Sequence, residues 1–218
     1  MGAEITPFGC VVLGAGEVVD PKRLAGLIAP GPFVICADGG LIHAPALGLT
    51  PNLLVGDFDS LTEPPIDIPR VTLSPEKNYT DSFYAARQAV EYGHTRLLLT
   101  GMLGGRLDHT LANIQLLAGL AKDGADAMVT DGQTDLFALA GSGQRALPCR
   151  AGCYFSLFAL ETCRGLSIFG AKYRLDNHTL RPHDPRAISN EFAGQDVVIS
   201  QTGGLLAAVV TPKNSLPR

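Results

Sequence analysis

Tryptophan is absent from these 218 residues, and aromatic residues of all kinds make up only 6%. Any aromatic wall around a ligand must therefore come from Phe or Tyr. Charge is sparse as well. Lys and Arg number 17 against 21 Asp and Glu, giving a formal charge of −4 and a pI near 5.7. No Lys/Arg run or basic stripe occurs, which argues against nucleic acid as a partner. The mild acidic balance is ordinary for a soluble protein. No apolar stretch approaches the roughly 20 residues that a membrane-spanning helix needs, so no membrane partner is expected. Residues 1–7 lack a basic segment followed by a hydrophobic one, so no secretory leader is expected either. Disulfide pairing is not suggested by the five cysteines, Cys10, Cys36, Cys149, Cys153 and Cys163. Their number is odd, and Cys10 and Cys36 fall in apolar runs, so the expectation is reduced thiols in the cytoplasm. Cys149, Cys153 and Cys163 lack a fourth ligand at a spacing suited to zinc. The Gly-x4-Gly-Lys-Ser/Thr pattern is missing, which disfavours a P-loop kinase. What is present is a 46% hydrophobic content, enough for a sizeable core in one large or two modest domains.

The chain changes period about two thirds of the way along. In residues 1–132, short apolar runs at 9–13, 33–37, 53–55, 96–100 and 127–130, with a weaker one at 70–73, read as strands. Between them, 21–29, 41–47, 81–92 and 107–121 read as helices, with Asp20 and Thr80 or Asp81 as caps. The helix at 107–121 is expected to bury Leu107, Leu111, Ile114 and Leu117 or Ala118. Alternating strands and helices imply a mostly parallel sheet. In residues 133–218 the period is β-like, with strands at 135–139, 154–159, 166–169 and 196–200. The run 197–210 reads as a hairpin turning on Gly203-Gly204. The fold class is thus an N-terminal α/β domain over 1–132, followed by a small antiparallel β-sandwich over 133–218. Pro64-Pro65 with Pro69 marks a surface loop.

Five aspartates sit at strand ends or turns in the first half: Asp38 before Gly39-Gly40, Asp57 and Asp59 around Phe58, Asp81 after Thr80, and Asp108 before His109. Acidic side chains crowd together at little cost only when a cation joins them, and Mg2+ takes oxygen ligands and brings polyphosphate. If the backbone at 57–59 is extended, Asp57 and Asp59 face the same way while Phe58 packs inward. The plain alternative is an Asx turn with solvated acids. Asp81 reads equally as a first-turn helix acid or as a third metal ligand. Lys77 offers a point charge for phosphate, and Arg106 a planar fork. Gly101 to Gly105 let the backbone approach a ligand, and Asp108 and His109 open a helix, with Asn113 about one turn on. Gly14-Ala15-Gly16 follows a strand, but position 19 is Val19, so the dinucleotide fingerprint is incomplete. A tight turn explains it, and a backbone N–H cradle for phosphate is compatible with it. Ile188-Ser189-Asn190-Glu191-Phe192 reads as a turn.

In order and spacing these runs resemble the thiamine pyrophosphokinase family, bacterial type. The matching segments are Ala37-Asp38-Gly39-Gly40, Gly56-Asp57-Phe58-Asp59-Ser60, Lys77-Asn78-Tyr79-Thr80-Asp81, Gly104-Gly105-Arg106-Leu107-Asp108-His109 with Asn113, Tyr173 to Asn177, and Ser189-Asn190-Glu191-Phe192. The resemblance implies ATP and Mg2+ as co-reactants and AMP as by-product. It implies a homodimer whose active sites lie between the α/β domain of one subunit and the β domain of the other. It makes Asp57, Asp59 and Asp81 the metal ligands. Asp38, Gly39, Gly40, Lys77, Asn78, Thr80, Arg106, His109 and Asn113 become substrate contacts, and Ser189 and Asn190 thiamine contacts. Phe192 is the aromatic candidate for the vitamin. One departure stands out: Asn78 occupies a place where the family usually has Asp, which removes a negative charge near the metal.

The reaction so implied is attack of the thiamine hydroxyl on the β-phosphorus of ATP. Arg106 and Lys77 would meet the phosphates, and Asp108 would orient thiamine or accept the hydroxyl proton. Two rival readings use the same residues. A metal-dependent phosphohydrolase would use Asp57 as a nucleophile. A non-catalytic thiamine or nucleotide sensor would have kept the fold without the chemistry, with Asn78 as its trace.

Overall fold

The computed structural model describes residues 5–58, 67–74, 76 and 78–213. Asp59, Ser60, Lys77 and the Pro64-Pro65 loop lie outside the described residues. The chain divides into two compact units, one of Pro7–Leu117 with Ala125–Gln133, the other built mainly from Ala118–Gly124 and the chain from Thr134 on.

In the first unit the strands are β1 (Phe8–Leu13), β2 (Ile28–Ala37), β3 (Leu53–Gly56), β4 (Arg70–Thr72), β5 (Arg96–Thr100) and β6 (Asp126–Thr130). Their order is β6-β5-β1-β2-β3-β4, and every pairing is parallel. Val11, Val12 and Leu13 in β1 and Leu97, Leu98 and Leu99 in β5 are fully buried, as expected for central strands covered on both faces. Helix α1 (Pro21–Leu27) starts where Asp20 Oδ1 accepts from the Arg23 N–H at 2.9 Å, and Pro21 costs no hydrogen bond at that position. It ends two residues sooner than its apolar pattern suggests, because Ile28 already belongs to β2. The expected helix at 41–47 is instead two short 3-10 turns, Asp38–His43 and Pro45–Leu47. Pro45 supplies no N–H to continue a helix, and Gly48 closes the second turn at φ 64°.

Helix α2 (Asp81–Glu91) is capped by Thr80, whose Oγ1 accepts from the Phe83 N–H at 3.2 Å. It buries Ala85, Ala86 and Ala89. Helix α3 (Leu107–Lys122) corrects the sequence expectation. Leu107 and Leu111 are 71% and 54% exposed, whereas Leu117 and Ala118 are buried as expected, together with Asn113, Leu116 and Leu120. Apolar residues occur all round this helix, so two faces fitted the helical period; the one chosen by burial carries a polar Asn113.

The second unit holds β7 (Asp135–Ala140), β8 (Gly143–Leu147), β9 (Cys153–Ala159), β10 (Cys163–Phe169), β11 (Leu175–Leu180), β12 (Asn190–Glu191), β13 (Val197–Gln201) and β14 (Leu205–Pro212). Within it β12-β9-β14-β7 run side by side, as do β11-β10-β13-β8, all antiparallel. Phe137, Leu206 and Ala208 from one sheet and Ile199 from the other line one small apolar gap, so the sheets face each other as a sandwich. The expected hairpin at 197–210 does not exist. β13 pairs with β8 and β10, whereas β14 pairs with β7 and β9. Gly203-Gly204 carries the chain from one sheet to the other. A Cβ on Gly204, at φ 109°, would lie 2.4 Å from the Thr162 carbonyl oxygen. The Gln201 amide ties the corner by donating to the carbonyls of Leu139, Gly141 and Gly204.

Candidate active site

The carboxyl ends of β1, β2 and β5 converge, as ligand sites do in open α/β sheets. Three chain segments meet there backbone to backbone. A Cβ on Gly14 would lie 2.5 Å from the Gly101 oxygen, and one on Gly40 only 2.0 Å from the Leu13 oxygen. The Gly14 N–H donates to Thr100 O at 2.8 Å and the Gly16 N–H to Gly101 O at 2.7 Å. So Gly14-Ala15-Gly16 is indeed a tight turn, and its glycines are required by the approach of residues 100–103. The turn also forms part of a cleft wall, which its incomplete fingerprint did not establish.

That cleft encloses about 310 Å³. Its lining includes Ala15 and Gly16, Asp38, Thr80 and Asp81, the segment Gly101–Arg106, His109 and Asn113. Six substrate or metal candidates thus come together: Asp38, Thr80, Asp81, Arg106, His109 and Asn113. Gly39 and Gly40 lie behind this wall; a Cβ on Gly39 would touch Ala15 Cβ at 3.2 Å. Asp57 follows Gly56, and a Cβ on Gly56 would sit 3.1 Å from Asp38 Cα. Asp57 is half-buried beside the wall without being one of the residues that line it. Asn78 is exposed two residues before the Thr80 cap.

Three local geometries refine the expectations. First, Phe58 has φ 58°, so the backbone next to Asp57 is left-handed, not extended. The alternation that would align Asp57 with Asp59 does not apply. Second, Arg106 and Asp108 form an exposed bidentate pair, Nη2 to Oδ2 at 2.6 Å and Nε to Oδ1 at 3.1 Å. The hydrogen bond from Arg106, helped by the His109 N–H at 3.0 Å, holds the Asp108 carboxyl down at about 2. Third, the buried Asn113 donates from Nδ2 to Met102 O at 2.8 Å, so it shapes the loop that lines the cleft.

In the second unit, Ser189 is exposed at φ 56°, and its N–H donates to Ser156 Oγ. Asn190 is only 3% exposed and opens β12. Its Oδ1 accepts from the N–H groups of Tyr173 and Glu191, and its Nδ2 donates to Tyr173 O. Glu191 then bridges Lys172 and Lys213, which hold its carboxyl at about 2. Phe192 packs against Phe155 with ring centroids 5.4 Å apart. The segment expected as a turn does bend at Ile188-Ser189, but Asn190–Glu191 is a short strand, and its side chains are partly spent on structure.

Among the described residues no group of three or more His, Cys, Asp or Glu is placed to hold a metal. The donor chemistry nevertheless suits a hard cation: Asp38 and Asp81 put two carboxylates into one cleft. Mg2+ is commonly held by one or two carboxylates, with substrate phosphates and water completing its shell. Burial pushes the Cys10 and Cys36 thiols up to about 12, so neither serves as a nucleophile. Sequence reasoning missed His43. It follows the Asp38-Gly39-Gly40 turn, and its Nε2 lies 2.7 Å from Gly16 O.

Comparison with known proteins places this geometry. The family model for the thiamin pyrophosphokinase catalytic domain matches residues 24–129, and that for the thiamin pyrophosphokinase vitamin B1 binding domain matches residues 146–206. The thiamine pyrophosphokinase of Bacillus subtilis is 27% identical over 210 residues, covering 91% of this chain and 96% of that protein. The crystal structure of thiamine pyrophosphokinase from Bacillus subtilis superposes with a TM-score of 0.83 at 25% identity, over 94% of this chain and 99% of that one. The thiamin pyrophosphokinase of Geobacillus thermodenitrificans gives 0.82 at 26% identity, over 94% and 98%. Two family models in the right order, together spanning most of the chain, establish that it belongs to the thiamine pyrophosphokinase family of enzymes.

Proposed function

We infer that this chain transfers the pyrophosphoryl group of ATP to the hydroxyl of thiamine, giving thiamine diphosphate and AMP. Residues 1–132 take the nucleotide and residues 133–218 the vitamin. The observation that carries the reading is the convergence of Asp38, Thr80, Asp81, Arg106, His109 and Asn113 on one cleft at the strand ends. These residues come from three separate motifs and have no shared structural purpose that would gather carboxylates, a guanidinium and an imidazole.

The hydroxyl oxygen attacks the β-phosphorus, and the bond from that phosphorus to the oxygen bridging it to the α-phosphate breaks. AMP departs with that oxygen. Such a step depends on in-line positioning and on charge neutralisation. Asp81, with Asp57 and Asp59, holds Mg2+, and Asp38 offers a further carboxylate in the same cleft. The bound ion supplies neutralisation of the phosphate oxygens and the leaving group. Arg106, with Lys77, adds positive charge at the phosphates. The α3 amino end adds the partial positive charge of its N–H groups. Asp108 orients Arg106. As the proton acceptor it is a poor match, because a carboxyl held at about 2 binds a proton weakly at neutral pH. Ser189 contacts thiamine, and Asn190 holds the backbone that presents it. The protein works as a cytoplasmic homodimer, checked by light scattering for a particle of two chains.

Neither the phosphohydrolase nor the sensor reading draws support from the relatives named above, each of which is called a thiamine pyrophosphokinase. Incubation with thiamine, ATP and Mg2+ tests the proposal. AMP and thiamine diphosphate in equal amounts are expected. Inorganic phosphate with ADP, a trapped aspartyl-phosphate at Asp57, or no turnover would overturn it.

A further inference from the structure

The cleft wall formed by Gly14-Ala15-Gly16 is held by packing between backbones that leave no room for side chains. Cβ atoms on Gly14, Gly16, Gly40 and Gly101 would all meet backbone carbonyl oxygens at 2.8 Å or less. One side chain reaches into this junction. His43, on the 3-10 turn that begins at Asp38, places Nε2 2.7 Å from Gly16 O. Its Cδ2 edge lies 3.3 Å from where a Cβ on Gly101 would be. A carbonyl oxygen only accepts, so Nε2 carries the hydrogen. The imidazole thereby joins the turn that follows β2 to the one that follows β1, and its edge fills the space beside Gly101 after β5. Anchoring the Gly16 carbonyl fixes the Gly16–Glu17 peptide plane, next to the Ala15–Gly16 plane that the Gly16 N–H holds against Gly101 O at 2.7 Å. Ala15 is exposed on the cleft wall, and among the described residues nothing accepts a hydrogen bond from its N–H.

We propose that His43 is a positioning residue for the nucleotide, holding the carboxyl side of the Gly14–Gly16 turn so that the Ala15 N–H is presented, already in place, to the triphosphate. This rests on the ATP-dependent reading above. His43 itself touches no substrate. What it supplies is order in a wall that would otherwise spend binding energy on being fixed.

The test uses the full chain with His43→Leu, which keeps bulk without a donor, and His43→Gln, whose amide nitrogen reaches a position close to that of Nε2. Binding of Mg2+ with α,β-methylene-ATP is measured by calorimetry, and KM is measured separately for ATP and thiamine. Loss of one hydrogen bond of ordinary strength predicts about a 5-fold weaker nucleotide in His43→Leu. Thiamine KM should stay within about 2-fold, with the glutamine variant close to wild type. If the wild-type chain binds no α,β-methylene-ATP, the functional reading itself fails. If wild type binds it and His43→Leu binds equally well, the role of His43 is refuted. Equal losses for both substrates, failure of glutamine to restore ATP binding, or a leucine variant that does not fold would likewise overturn it, leaving His43 a structural residue.

Discussion

Gly101→Ala should be among the most damaging single-methyl changes in the α/β unit, and its cost can be worked out. Gly101 has φ 66°, and its added Cβ would lie 2.1 Å from Gly14 O and 2.9 Å from the Gly14 carbonyl carbon. The left-handed conformation costs alanine roughly 1–2 kcal/mol. The collision is with backbone, which has no rotamer to change, and forced repacking of that kind costs about 1–3 kcal/mol. Together these give roughly 2–5 kcal/mol, a large fraction of the few kcal/mol that hold most proteins folded. Gly31→Ala is the matched control. It has φ 65°, nearly the same conformation, but nothing lies within 4 Å of its added Cβ. It should cost only the conformational part. At about 2–4 °C per kcal/mol for a chain of this size, the two variants should differ in Tm by roughly 2–12 °C. Thermal unfolding followed by circular dichroism reads this directly. ATP KM should rise in Gly101→Ala and stay unchanged in Gly31→Ala. Indistinguishable Tm values for the two variants would refute the claim that close packing against residue 14 dictates glycine at 101.

The other predictions concern single side chains. Asp81→Ala should abolish AMP release while the helix it opens stays folded, because Thr80 supplies the cap; near-normal turnover would remove Asp81 from the site. Asp108 has its folded value lowered to about 2, so any stability it contributes is present above its unfolded value near 3.9 and is lost as pH falls through about 2. It is ionised throughout neutral pH, so Asp108→Asn should lower kcat/KM while leaving the acid limb of the pH profile where it was. A displaced limb would restore Asp108 as the base. Asn190→Ala strips partners from both the N–H and the C=O of Tyr173, and at about 1–3 kcal/mol per stranded group the urea midpoint should fall clearly. Ser189→Gly should be neutral or stabilising, since glycine accepts φ 56° without strain, yet it should raise thiamine KM. A marked loss of stability would show that the hydroxyl is needed for the fold.

The α/β half was legible because its strands are buried on both faces and read as continuous apolar runs, each closed by a glycine or an aspartate. β8 and β11 escaped notice for the opposite reason. They are the outer strands of their sheet, with a single buried residue each, and Asp176, Asn177 and His178 in β11 look like a loop. The false hairpin at 197–210 had two strands of the right length around Gly203-Gly204. Nothing local distinguishes a chain that turns back along its own sheet from one that crosses to the facing sheet; the choice is made by Thr162, Cys163 and Arg164, forty residues away in sequence. α3 offered two apolar faces, and only tertiary packing selected the one containing Asn113.

The candidate site shows a different limit. Its acids were visible as residue types at turns, but their geometry is set by backbone conformations that composition disfavours. Asp38, Phe58, Asn177 and Ser189 are the non-glycine residues with positive φ among those described, and each falls within a run that resembles the family. Such conformations cost on the order of 1–3 kcal/mol each and persist only where the surroundings impose them. At Asp38 the imposing feature is Gly40 pressed against Leu13, with Gly56 against Asp38 itself. At Ser189 the surroundings include Asn190 locked onto Tyr173. The glycines and asparagine that look most like functional residues in the motifs are therefore largely the means of holding neighbouring side chains in costly positions. Replacing Gly40 or Asn190 should therefore lower stability and binding together, whereas truncating Asp38 or Ser189, the side chains they position, should lower binding without that loss of stability.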